Sequence, residues 1–482
     1  IGAAALYTAS TASDNTAVGD QALYATTTGA YNTSIGSSSG KAVTDGESNV
    51  FVGYNAGLAT TTADANVAIG SDSFKVNTVG HSNVVVGESA MAANTEADNG
   101  TAVGFQALMA NTTGNNNTAI GSGSSVATTT GTGNVSVGQA SFVTNTTGDS
   151  NVAIGRGTLY SNTTADEGTA VGLCALFTNT DGHSNTAVGA YALLANSTGD
   201  KNVAVGMEAL LTNTTACENV AVGRRAMRLN TTGTENVAIG TEALDANTTA
   251  TRSTAVGYQA LAANTTGVGN TAVGWKALIT ANGAATQNTA VGRSALGGLT
   301  TAAQNTAVGC DALYSVTTGD QNTSLGNRAG DVTTTGANNT TIGYAADPSS
   351  NTASNQVTLG NASVSSIRSQ VQSISALSDR RDKKNIKDLE IGLNFIDDLK
   401  PVTFDWNRRD GSKPGKKEVG FIAQDLDETQ IKYNLEEHLE IVLKDNPDKL
   451  EAAPGKILPI LVKAIQELSE TNKKLTSRIE EL

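Results

Sequence analysis

Asn185-Thr186-Ala187-Val188-Gly189 is followed 17 residues on by Asn202-Val203-Ala204-Val205-Gly206, and 17 further on by Asn219-Val220-Ala221-Val222-Gly223. Working outward in both directions, the same short core closes on a glycine at 22 places from Gly2 to Gly360, Gly104, Gly121 and Gly138 among them. Every interval is 17 residues except Gly274 to Gly292, which is 18. A fixed period of this length marks a stacked architecture in which each unit contacts only its neighbours. The odd residue is expected in a turn near Asn282-Gly283, because an insertion within a strand would flip its faces.

The columns of the repeat have physical readings. The residue before each glycine is aliphatic (Val18, Ile35, Val52, Ile69), the residue two places earlier is Thr or Val in most coils, and the one between is mostly Ala or Ser. This alternation predicts a short strand with the aliphatic column facing inward. A second segment after each glycine carries a Leu, Phe or Met in most coils (Leu108, Phe142, Leu159, Leu176) and reads as a second short strand. A turn follows, Asn111-Thr112-Thr113-Gly114 with counterparts at Asn145, Asn162 and Asn213, using residue types suited to left-handed or side-chain-bonded backbone. Two strands and two turns would make one flattened coil. At ~4.8 Å per coil, the repeat would span on the order of 100 Å. Asn15, Asn32, Asn49, Asn66 and Asn83 are expected to stack as an amide ladder. The Asn-Thr-Thr triplets match a glycosylation sequon, but their recurrence in one column reads better as a turn ladder. The Asn-x-Ala-[Val/Ile]-Gly core resembles the head repeats of trimeric autotransporter adhesins over about residues 1–360, with a longer period than is usual there. That resemblance implies a left-handed parallel β-roll packed as a trimer.

Composition narrows the function. Aromatic residues are 4% of the chain, too few bulky side chains for a large round core. The net charge of −14 argues against nucleic acid and anionic membranes as partners, since phosphate binding needs a basic face. No membrane-spanning run is visible, so no membrane insertion is expected. Cys174, Cys217 and Cys310 fall in different columns, which suggests neither a disulfide ladder nor a metal site, and nothing calls for a cofactor. His81 and His183 are single, in turn segments, and read as solvated. No column offers the paired carboxylates a glycosidase needs. Ile1-Gly2 stands in register with Val18-Gly19, so further sequence is expected upstream. The shaft itself reads as a stiff spacer or as a recognition surface presented by its turns.

The character of the chain changes near 360–380. Residues 378–482 hold 41 of the 76 charged side chains and five of the six prolines. We divide the chain into a solenoid shaft (1–360), a neck (361–377), a small domain (378–453) and a terminal helix (454–482). The domain opens on Ser378-Asp379-Arg380-Arg381-Asp382-Lys383-Lys384-Asn385-Ile386 and continues through Gly420-Phe421-Ile422-Ala423-Gln424-Asp425. These blocks resemble the intramolecular chaperone domain of phage tailspikes and tail fibres, the type found on endosialidases. The resemblance covers about 376–482, and its most specific motif, Ser-Asp-x-Arg-x-Lys-x-x-Ile, is matched by Ser378, Asp379, Arg381, Lys383 and Ile386. It implies an α+β domain that trimerises the chain and a cut at the Leu377–Ser378 bond. Ser378 would be the nucleophile and Lys383 the base, with Asp379, Arg381, Ile386, Gly420 and Gln424 as supporting residues. A serine hydroxyl needs such a base, and lysine can serve where burial favours its neutral form. Without the resemblance, Lys383 reads as a solvated charge and Ser378 as a turn cap.

The end of the chain is legible by itself. Leu458, Leu461, Ile465, Leu468, Asn472, Leu475, Ile479 and Leu482 alternate by three and four residues, the a/d seam of a coiled coil. Asn472 at an a position costs stability and fixes register. A short trimeric coiled coil is expected; the alternative is a helix packed on its own domain. Taken together, these features predict a mainly β, homotrimeric parallel β-solenoid with a small α+β cap. Its expected role is that of a phage tail fibre or tailspike in the virion tail, folded in the host cytoplasm and attaching to a host-surface glycan or protein. A bacterial surface adhesin with the same self-cleaving cap is the alternative, and a polysaccharide-degrading spike a third.

Overall fold

The computed structural model describes residues 1–370, 378–407 and 415–481. Its repeat is a parallel β-solenoid, and the chain divides into two compact units, Ile1–Asn322 and Thr323–Leu482. The first unit holds β1 (Thr16–Val18) to β18 (Thr306–Val308), one three-residue strand per coil. Strands pair one repeat apart, as in Thr186 with Val203 and Val188 with Val205. The 18-residue interval leaves this register intact, with Thr271 opposite Thr289 and Val273 opposite Val291. The extra residue is absorbed in the turn at Asn282, whose N–H reaches the Thr300 carbonyl.

Two expectations are corrected. Within each strand the middle residue is buried and the two flanking residues point outward: Ala187, Ala204 and Ala238 are fully buried, while Ile35, Ile154 and Ile239 are exposed. The aliphatic column therefore faces out. The interior is filled from the opposite wall of the coil by Leu176, Leu193, Leu210 and their counterparts, which in these coils leaves room for no more than a small residue, Ala or Ser, on the strand. The second segment is also not a strand. Its backbone turns through left-handed conformations at alternate residues, such as Gln106 (φ 56°) and Leu108 (φ 51°). Left-handed backbone at a leucine costs on the order of 1–2 kcal/mol. Burying the side chain returns roughly 1.5–3 kcal/mol, so the strained turn is retained as the means of delivering Leu to the core.

Inter-coil hydrogen bonds run on around the coil outside the strands. Gln106 donates its N–H to the Glu88 carbonyl, Leu108 to Ser124, Ala110 to Val126 and Thr112 to Thr129. The glycine column is required by close approach: Gly104 has φ 137°, and a Cβ there would lie 2.5 Å from the Gly121 carbonyl oxygen.

The asparagine ladder is present, and there are two. In the expected one, Asn202 Oδ1 accepts from Asn219 N (3.1 Å) and Nδ2 (3.3 Å), and Asn219 Nδ2 donates to the Gly233 carbonyl (2.8 Å). In the other, Asn196 Nδ2 donates to Asn179 Oδ1 (2.7 Å) and to the Gly199 carbonyl (2.9 Å). The Asn of the Asn-Thr-Thr triplets, such as Asn111 and Asn213, are fully buried. The following threonine is engaged too, Thr112 Oγ1 donating to the Thr129 carbonyl at 3.0 Å. These columns hold coils together rather than displaying groups to solvent.

The second unit begins with β19 (Thr323–Leu325), β20 (Thr340–Ile342) and β21 (Val357–Leu359) in the same parallel pattern. An α+β region follows: α1 (Leu393–Asp398), the antiparallel pair β22 (Val402–Asp405) and β23 (Lys417–Gly420), α2 (Ala423–Lys432), α3 (Glu436–Leu439), the short hairpin β24 (Val442–Leu443) and β25 (Glu451–Ala452), and α4 (Leu458–Glu480). Phe395, Leu426, Ile441, Val442, Ile457 and Ile460 form its core.

Candidate self-processing and assembly site

The segment that opens the small domain is a tight, capped turn. Asp379 precedes a single 3-10 turn over Arg380–Asp382, and its Oδ1 accepts the Arg381 N–H at 2.8 Å. The Arg381 guanidinium closes on the same carboxylate, with Nε at 3.1 Å and Nη2 at 2.6 Å. These bonds hold the Asp379 carboxyl below the usual carboxylate range, the Arg381 side chain contributing most. The turn carries the chain back so that Lys383 Nζ lies 2.6 Å from Ser378 Oγ and donates to it. Serine and lysine, five residues apart, are therefore in direct contact, with Asp379 and Arg381 building the turn between them.

Both side chains of the pair are exposed in a single chain, as is Ile386. Gly420 and Gln424 occupy a different part of the domain. Gly420 ends β23, where a Cβ would press to 3.3 Å from the Phe404 ring, and Gln424 lies exposed in the first turn of α2. Among the described residues no hydrogen bond or ion pair joins either to Ser378 or Lys383. Leu377, the expected acyl side of the cut, lies outside the described residues, as does Leu482 of the helical seam.

The terminal helix serves two surfaces. Ile460 and Ala464 are buried against the domain, where α4 packs on α1. Glu467 on the same face caps α1, its Oε2 accepting from the Leu393 N–H at 2.8 Å. The predicted seam faces away: Leu461, Ile465 (65% exposed), Leu468, Asn472, Leu475 and Ile479 (71%) are all exposed. The helix packs on its own domain through one face, as the second sequence alternative expects, and leaves the heptad seam exposed on the adjacent face. Glu467, which fixes α1 to α4, went unnoticed in the sequence because one carboxylate in a charged helix carries no local signal.

The rest of the domain is held by a polar cluster beside its core. Asp398 accepts from both Lys432 Nζ and Tyr433 OH at 2.5 Å, and the Tyr433 ring packs on Phe395. These bonds, that of Lys432 foremost, lower the Asp398 carboxyl and raise Lys432. No group of His, Cys, Asp and Glu that could hold a metal occurs among the described residues.

Residues 378–438 match the family model described as chaperone of endosialidase, so the match begins on the serine of the Ser–Lys pair. No curated protein and no solved structure matches the chain.

Proposed function

We propose that this chain is part of a homotrimeric fibre of the tail-fibre or tailspike kind, in which the solenoid forms the shaft and residues 378–482 act as an assembly chaperone that severs itself. The observation that carries the reading is the 2.6 Å contact between Lys383 Nζ and Ser378 Oγ, in a segment similar to the chaperone of endosialidase family. The Ser378 hydroxyl attacks the Leu377 carbonyl while the Lys383 amine takes its proton. The peptide nitrogen leaves as the amine of Ser378, and the ester formed on Oγ is opened by water. Lysine accepts a proton only as the free amine, a form that burial favours. Because both side chains are exposed in one chain, the base would come into play where neighbouring subunits cover the turn, tying the cut to assembly.

Two surfaces support a trimer. The outward face of β1 to β18 carries Thr, Val and Ile and no charged side chain, along its whole length. Contiguous apolar surface beyond a few hundred Å² is uncommon on monomers and marks an interface. The seam of α4 is the second such surface. Attachment to a host-surface glycan or protein would fall to the variable outer columns, leaving the strand face for the subunit contacts. Ser378→Ala is expected to leave one uncleaved band on a denaturing gel, where the unaltered chain yields fragments split before residue 378; cleavage of the variant at the normal rate would sink the assignment.

A further inference from the structure

The last turn of the repeat departs from the pattern in an informative way. The first asparagine ladder runs through Asn288, Asn305, Asn322 and Asn339, and the next residue in the column is Gln356. Its backbone keeps the ladder, the Gln356 N–H donating to Asn339 Oδ1 at 3.0 Å. Its side chain, longer by one methylene, does something else. Oε1 accepts from the Ser349 N–H (2.9 Å), and Nε2 donates to Ser349 Oγ (2.8 Å) and to Asp445 Oδ2 (2.9 Å). Ser349 Oγ also faces Asp445 Oδ2 (3.5 Å), and Asn446 Nδ2 donates to the Ser349 carbonyl (3.2 Å).

Asp445 and Asn446 sit in the loop of the β24–β25 hairpin. That hairpin is rooted in the domain core through Val442, and its loop is braced by Asn446, whose Oδ1 accepts from Asp448 N at 3.0 Å. The hairpin lies beyond the 378–438 segment that matches the chaperone family. Its partners lie on the shaft side of the Leu377–Ser378 bond. The amide that would reach a following coil is turned instead onto the C-terminal domain.

We infer that the β24–β25 hairpin is a latch: it recognises the last turn of the shaft through Gln356 and Ser349 and holds the C-terminal domain there without a covalent link. Cutting the chain before Ser378 therefore does not by itself release the domain. This rests on the proposed cleavage for its biological setting, but it can be tested without it. A site-specific protease sequence is placed within 371–377 of the full chain, with Ser378→Ala throughout, and the sample is cut with the added protease and run on size exclusion. Residues 378–482 are expected to co-elute with the shaft. Gln356→Asn, which restores the ladder residue but withdraws the amide, and Asp445→Ala, in an exposed loop, should each weaken retention about tenfold to a hundredfold, the effect of losing hydrogen bonds to a charged group. Release of the unaltered domain as complete as that of Asp445→Ala, or retention of Asp445→Ala as firm as the unaltered domain, would overturn the latch. Light scattering on the same sample reads the oligomer separately, so a monomeric mass would sink the fibre reading while leaving the latch result standing.

Discussion

At the scale of single residues, the coil around Phe51 exchanges volume between its two walls. Phe51 stands in the strand column that holds Ala or Ser in most coils. Its ring fills the space that Leu fills in other coils, and the residues at that column on either side are Gly40 and Gly57. A Cβ on Gly57 would lie 2.5 Å from the Phe51 ring, and one on Gly40 2.8 Å from it. Both glycines have the left-handed backbone that leucine adopts in the other coils, φ 55° and 59°. Phe51→Ala should destabilise the shaft by about 3–5 kcal/mol, the usual cost of emptying such a core site. Adding Gly40→Leu and Gly57→Leu should restore much of that, because the triple variant rebuilds the pattern of the neighbouring coils. Thermal melting of the three forms checks this; a triple variant no more stable than Phe51→Ala would show that the exchange of volume is not what holds this coil.

Single elements divide their surfaces between a face packed on the chain's own core and a face left exposed. In α4, Ile460 and Ala464 belong to the domain core, while Leu468, one turn beyond Ala464, is exposed. Leu468→Asp is therefore expected to leave the domain folded and to abolish the proposed trimer, read by light scattering with circular dichroism as the control for folding. A loss of helix and sheet signal together with the mass would mean the seam is part of the domain's own core. The strand face allows a parallel test. Val205 points outward at the end of the strand Val203–Val205, and Val205→Glu should be accepted by a single coil but repelled in a face-to-face trimer. The expected outcome is normal sheet content with a lowered trimer mass at low micromolar concentration. An unchanged trimer would move the subunit contact to another face. The core is also uneven along the shaft. Its apolar packing breaks between Ala119 and Phe142. In that gap Ser124, Ser125, Ser136 and Ser141 are buried and bond to one another, with Ser124 Oγ to Ser136 Oγ at 2.5 Å and Ser125 Oγ to Ser136 Oγ at 2.7 Å. Such hydroxyls are satisfied, yet they bury less apolar surface than the Leu and Ala they replace.

For the whole molecule, the difficulty is register. Near-identical coils make a trimer displaced by one repeat almost as stable as the correct one, since only end contacts are lost. Parallel pairing is also slow to nucleate. Under the proposed chaperone role, a domain that trimerises first at one end would remove both problems, and a shaft later parted from it would be stable because it unfolds slowly. Deleting 378–482 is accordingly expected to yield aggregated or monomeric 1–377; a soluble native trimer from that truncation would count against a chaperone role.

Periodicity, the turn position of the extra residue, the asparagine ladder and the heptad spacing were legible in the amino-acid sequence, because each is a local pattern of spacing and residue type; the Ser378–Lys383 pair was legible only through the resemblance of its motif to a known family. The direction of the faces was not legible. A three-residue strand such as Thr186–Val188 states that its two faces differ, but which of them is inside depends on how much space Leu193 takes from the far wall, and that is a property of the closed coil. The same limit hid the second segment's left-handed turns, where burial of leucine outweighs backbone preference. It also hid Glu467 on α1 and Asp445 on Gln356, contacts between residues 74 and 89 positions apart that exist only once the chain has folded back on itself. The one trace of the latter in the sequence is a glutamine where the ladder calls for asparagine, and only the hairpin opposite it gives that extra methylene a purpose.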